Sequence, residues 1–259
     1  MGAGRCYTGQ IPHTMKSLRT MAACAAALCG SLSLAALPGE PDYIPVQIHQ
    51  TEEATFPRSL VIDGIKSGAA TVAISIDDNG QLADYLVTGY TKPAFGDQAV
   101  AAIKKWKFEP ARIHGAPRNS KADLTFRFEL EGVVVVTMSV VSNNELIHNK
   151  ITPGADSYTA CTLSQLDRIP NPTKIVNPVY PTQLARSSRG GHVLVEFYID
   201  EQGRVRMPSV NPETIEANEE LAAVAVTAVS QWHFDPPLSR GRAVLVLAQQ
   251  DFSFKPGAP

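Results

Sequence analysis

The sequence predicts an α+β chain in which one small unit, an antiparallel sheet covered by a helix, is used twice. Three observations predict it. The stretch Ile103-Lys104-Lys105-Trp106-Lys107-Phe108-Glu109-Pro110 returns 126 residues later as Val229-Ser230-Gln231-Trp232-His233-Phe234-Asp235-Pro236. Alternating apolar residues Val72, Ile74 and Ile76 return as Val195, Phe197 and Ile199, the period of a half-buried strand. Each of these strands runs into the same kind of turn, Asp77-Asp78-Asn79-Gly80 and Asp200-Glu201-Gln202-Gly203, where glycine supplies the left-handed residue that closes a hairpin.

The remaining elements follow in the same order in both units. Phe56-Pro57 corresponds to Tyr180-Pro181, an aromatic-proline pair that reads as a staple and helix start. After the hairpin, Phe95, Ala99, Ala102, Ile103 and Trp106 fall on one helical stripe, as do Leu221, Ala225, Ala228, Val229 and Trp232. Each helix is expected to run through its tryptophan and to stop at Pro110 or Pro236. Gly115 and Gly241 mark turns, and Phe126 and Phe128 match Phe252 and Phe254 in a third strand. Three extra residues in the second unit fall near Pro208 to Asn218, in a loop, where insertions cost little. Both tryptophans are read as core anchors. Val133 to Val141, β-branched almost throughout, reads as an extension of the third strand or an added strand.

Composition sets the class. The 259 residues are 44% hydrophobic and 19% charged, enough apolar surface for packed cores. Net charge is −2. The only charges in the first 35 residues are Arg5, Lys16 and Arg19, so the body is more acidic than the total. An acidic body argues against nucleic acid, which requires a basic face. Lys16 and Arg19 precede the apolar run Met21 to Leu34, and Ser33-Leu34-Ala35 places small residues for cleavage before Ala36. This reads as an export signal over residues 1–36, with 1–14 an overhang before Met15. An uncleaved anchor over residues 16–37 is the alternative, and the only route by which this reading involves a membrane. The expected organisation is a first domain over 37–142, a linker over 143–172 and a second domain over 173–259. Once the signal is removed Cys161 is left alone, so no internal disulfide is expected.

With these residues in place, the chain resembles the TonB C-terminal domain, in two tandem copies with the first more divergent. The resemblance rests on Ile175 to Pro181, on Gly191 to Val205 in the hairpin, and on Ala228 to Pro237 around Trp232. It implies a three-stranded antiparallel sheet with helices packed on one face, a periplasmic location, and binding of an outer-membrane receptor by β-strand addition. The implied partner-binding residues are Asn177, Pro178, Tyr180 and Pro181 before the first helix, and Val244, Val246, Phe252 and Phe254 on the edge strand. Another envelope protein is an equivalent partner, and peptidoglycan a variant. A Pro-rich spacer and an anchor with a polar residue, as in an energy transducer, are not evident. A structural protein whose two domains pair edge to edge and transduce no energy is the competing reading.

Catalytic chemistry finds no foothold. No two of the six histidines have helical spacing for a metal pair. The acidic turn residues lack calcium-loop spacing, and no nucleophile elbow or phosphate loop is present. No catalytic residue, metal ligand or cofactor is assigned, and the chain is read as a non-enzyme.

Overall fold

Strand, turn and helix recur in the order the repeat requires. The computed structural model describes residues 43–132, 134–139, 154–185, 190–210 and 219–255. The export segment lies outside the described residues. The first repeat contains β1 (Tyr43–Ile44), β2 (Gln47–Gln50), α1 (Arg58–Ile62), β3 (Ser67–Ile76), β4 (Leu82–Tyr90) and α2 (Pro93–Ile103). It continues through β5 (Lys107–Glu109), β6 (Ala111–Ile113), β7 (Ala116–Arg118), β8 (Ser120–Glu129) and β9 (Val135–Ser139). Two short strands follow, β10 (Tyr158–Thr159) and β11 (Cys161–Thr162). The second repeat contains β12 (Pro172–Lys174), α3 (Thr182–Ala185), β13 (Gly191–Ile199), β14 (Val205–Val210) and α4 (Glu219–Val229). It ends with β15 (His233–Phe234), β16 (Leu238–Ser239), β17 (Arg242–Ala243) and β18 (Val246–Phe254). No helix among the described residues is long and apolar enough to cross a membrane.

Each repeat has the same antiparallel centre, β4-β3-β8 in the first and β14-β13-β18 in the second. Both sheets are wider than the three strands expected. The first sheet is ordered β10-β4-β3-β8-β9 and the second β11-β18-β13-β14. The β-branched run after β8 is an added strand, paired antiparallel with β8 from Asp123 opposite Ser139 to Arg127 opposite Val135.

Neither long helix reaches its tryptophan, which corrects the expected stop at the prolines. α2 ends at Ile103 and α4 at Val229, and one turn later the chain becomes β5 or β15. The reason is steric. A continued helix would carry Phe108 about 200° around the axis from Trp106, onto the opposite face. Both rings belong to the core, at 7% exposure each. Leaving the helix as a strand turns Phe108 inward and Lys107 and Glu109 outward, and β5 finds its backbone partner in β2. The proline of each aromatic-proline pair also precedes its helix: Pro57 is the N-cap of α1.

The helix-covered face of each sheet forms a separate core. Val72, Ile74, Phe95, Ile103, Trp106, Leu124, Phe126 and Phe128 fill the first. Val195, Phe197, Leu221, Val229, Trp232, Val246 and Ala248 fill the second. The opposite faces pack on each other through Ala73, Ala160, Tyr198, Met207, Leu245 and Leu247. The repeats thus meet face to face, which corrects the edge-to-edge pairing of the competing reading. An antiparallel sheet leaves one face bare when a helix covers the other, and here each bare face buries its neighbour's. Lys121 is enclosed in this contact, donating to Glu196 Oε1 at 2.7 Å with its ammonium 4.7 Å from the Tyr198 ring centre. Glu40–Pro259 accordingly forms one compact unit.

Candidate partner-binding edge

The two tryptophans hold the segment that flanks the edge strand in each repeat. Trp106 Nε1 donates to the Glu52 carbonyl and Trp232 Nε1 to the Val176 carbonyl, both at 2.8 Å. A buried indole N–H requires an acceptor, and an extended chain without a ladder partner has a free carbonyl to supply it. In the second repeat the Trp232 ring lies 5.8 Å from Phe252, and Tyr180 lies 6.3 Å from Phe254. The segment from Val176 to Tyr180 is thereby fixed beside the last strand.

The two repeats differ at the outer edge of that strand. In the first, β9 covers β8 over Asp123 to Arg127. In the second, β11 runs parallel to β18 only at Val246 and Leu247, opposite Cys161 and Thr162. Among the described residues nothing pairs with the outer edge from Ala248 to Phe254. Burial follows the covering. Phe126, under β9, is fully buried, while its counterpart Phe252 is only partly buried. An open edge presents unpaired N–H and C=O groups that another extended segment can satisfy.

The implied site residues fall into two groups. Asn177 is exposed, Pro178, Tyr180 and Pro181 are half-buried, and Phe252 and Phe254 lie at the open end of β18. Val246 does not belong with them: its side chain is fully buried and it sits opposite Cys161. Val244 precedes β18, with its N–H donated to Pro237. The open edge therefore begins at Ala248, because the chain leading into the second repeat occupies its start.

Two exposed apolar residues in and next to the segment that Trp232 holds were missed in the sequence although a signal was there. Ile175 is 53% and Val179 79% exposed. Their counterparts in the first repeat are Thr51 and Thr55, both polar. At these two positions the second copy alone carries apolar side chains.

The turns are built as their sequence requires. Asp200 Oδ1 accepts the N–H groups of Gln202 and Arg204, as Asp77 Oδ1 accepts those of Asn79 and Gln81. Cys161 is half-buried, and burial pushes its thiol pKa up against a hydrogen bond with Ser239. A raised pKa disfavours the thiolate on which cysteine reactivity depends. Among the described residues no group of three His, Cys, Asp or Glu side chains is arranged to hold a metal ion.

The family model described as Gram-negative bacterial TonB protein C-terminal matches residues 52–130 and again 176–256. A solution NMR structure of the Pseudomonas aeruginosa TonB CTD is 26% identical, covering 39% of this chain and 97% of its own, with a TM-score of 0.30. No curated protein matches. The two family matches take in the antiparallel centre, the helices and the tryptophan of each repeat, and the chain belongs to the TonB C-terminal domain family, in two tandem copies.

Proposed function

We propose that the chain is a periplasmic protein–protein interaction module, with its second repeat accepting an extended segment of a partner by strand addition to β18. The observation that carries this reading is the edge from Ala248 to Phe254, unpaired among the described residues, where the first repeat has an edge covered by β9. Main-chain pairing supplies affinity to such a contact, and the flanking side chains supply selectivity. Membership of the TonB C-terminal family favours an envelope partner, and an outer-membrane receptor in particular, which would link the module to TonB-dependent transport. Asn177, Pro178, Tyr180 and Pro181 would border the added strand, with Phe252 and Phe254 beneath it.

The test is titration of the full chain with peptides from periplasmic segments of outer-membrane receptors, followed by amide chemical shifts. Shifts from Ala248 to Phe254, with Asp123 to Arg127 unchanged, are the expected result. Absence of binding by every receptor segment, or equal binding by Phe252→Asp, would overturn the proposal.

A second reading is favoured by the face-to-face packing of the repeats. On it the chain is a structural envelope protein whose two domains serve each other, and β18 stays open when envelope components are supplied. Export itself is checked by the N-terminal residue of the mature protein, expected at Ala36.

A further inference from the structure

Beside their face-to-face contact the two repeats leave a cleft of about 1090 Å³. On the first-repeat side it is walled by the β6–β7 ribbon, with Ile113 and Arg118, and by the start of β8, with Ser120 and Lys121. On the second-repeat side it is walled by β14, with Met207 and Ser209, and by α4, with Glu220 and Val226. Two ion pairs bridge the walls. Lys121 donates to Glu196 Oε1 at 2.7 Å, and Arg118 Nε to Glu219 Oε1 at 2.7 Å. A single copy of the domain has only one of these walls, so the cleft belongs to the tandem arrangement.

Part of the lining is apolar. Ile113, Met207, Val210 and Ala222 are buried within the walls, and Leu194 is 47% exposed. Leu194, Glu196 and Tyr198 alternate along β13 on the face away from the helices, and Tyr198 is fully buried. The contact between the repeats thus covers one end of that face and leaves Leu194 to the cleft.

Two hydroxyls in the lining call for partners. Tyr43 Oη and Ser120 Oγ are shielded from solvent and make no hydrogen bond among the described residues. Burial pushes the Tyr43 phenol pKa up, so it keeps its proton and can donate. A shielded hydroxyl without a partner carries a desolvation cost that an acceptor would recover. Charge in the lining is unbalanced as well. Its cations, Lys121 and Arg118, are engaged by Glu196 and Glu219. Asp78 and Glu220 also line the cleft and have no ion pair among the described residues.

We propose that this cleft binds a short peptide segment carrying a lysine or arginine beside an aliphatic side chain. The cation answers Asp78 and Glu220, the aliphatic group covers Leu194 and Val226, and backbone carbonyls accept from Tyr43 and Ser120. A simple amine would satisfy the carboxylates alone, whereas a peptide also supplies acceptors and apolar surface. Because both walls touch it, the bound segment fastens one repeat to the other. The cleft lies against the sheet faces, so this site stands whether or not the outer edge of β18 takes a strand.

The experiment titrates the isotope-labelled full chain with acetylated tetrapeptide amides built from leucine, valine, serine and one lysine. A second set carries glutamate in place of lysine. The lysine set is expected to shift the amides of Ile113 to Lys121 and of Glu219 to Thr227 together, saturating at one peptide per chain, while the glutamate set does not bind. Glu220→Lys should weaken binding roughly five- to ten-fold, because a charge is reversed. Tyr43→Phe should weaken it roughly three- to ten-fold, the equivalent of one hydrogen bond, with the thermal midpoint of the free chain unchanged or raised. Failure of every lysine peptide, equal binding by the glutamate set, shifts confined to one repeat, or full affinity in either variant would overturn the proposal.

Discussion

Arg206 of the second repeat grips Asp84 of the first from two directions. Its Nε donates to Oδ2 at 2.9 Å, and its second terminal nitrogen contacts Oδ1. Asp200 lies on the other side of the guanidinium, 3.7 Å from Nη1. Both partners of the main pair are less than a third exposed, so the contact is neither a solvated surface pair nor a dry one. Asp84→Ala is expected to cost about 1.5–3 kcal/mol, the range for hydrogen bonds to charged groups. Urea unfolding of Asp84→Ala, Arg206→Ala and the double variant would measure the coupling. Additive losses would show that this pair does not tie the repeats together.

The tryptophans make a matched pair of predictions. Trp106→Ala and Trp232→Ala should each cost about 3–5 kcal/mol by unfolding, because each empties a core site of the same kind. Their replacement by phenylalanine separates ring from N–H. Trp232→Phe leaves the Val176 carbonyl without its donor, and should speed amide exchange from Val176 to Tyr180 more than in the rest of the second repeat.

Glycine at the hairpin is required for two reasons at once. Gly203 has φ +80°, and a Cβ there would stand 1.9 Å from the Phe234 carbonyl oxygen. Gly241 has φ +72° but nothing within 4 Å of its Cβ position. Gly241→Ala should therefore cost about 1–2 kcal/mol for the left-handed backbone alone. Gly203→Ala should lower the thermal midpoint clearly further, because the β15 backbone must also move. Equal midpoints would contradict the close approach.

Acid should weaken the second hairpin through Asp200. Burial pushes this carboxyl up, but hydrogen bonds from the Arg204 backbone, the Arg204 guanidinium and the Gln202 backbone outweigh it and hold the pKa below the ordinary carboxylate range. A depressed folded value contributes stability above the unfolded pKa of about 3.9, and that contribution is lost as pH falls through the folded value. The stability gap between the native chain and Asp200→Asn should be constant near neutrality and shrink below about pH 4. A gap that does not change with pH would place the stabilisation elsewhere.

Much of this architecture was legible in the sequence because each repeat checks the other. Val72 and Val195, Gly80 and Gly203, and Trp106 and Trp232 occupy equivalent places in the fold. The helix ends were not legible, because Lys104 and Lys105 are good helix formers and only the shared burial of Trp106 and Phe108 draws the chain into a strand. The face-to-face contact was hidden for a different reason. Tyr198, Met207, Leu245 and Leu247 stand on the faces away from the helices, and nothing local says what covers them. Of the proposed site, Tyr180, Phe252 and Phe254 are named by the family pattern, and the structure sets Tyr180 against Phe254. Closure of the start of β18 by Cys161 and Thr162 could not, since a two-residue strand leaves no periodicity.

Amide hydrogen exchange of the free full chain, compared at Phe126 and Phe252 and their neighbours, tests the central asymmetry most directly. Slow exchange is expected throughout Asp123 to Arg127, and fast exchange at the outward-facing amides from Ala248 to Phe254. Slow exchange along the whole of β18 in the free chain would contradict it, because that edge would already be paired.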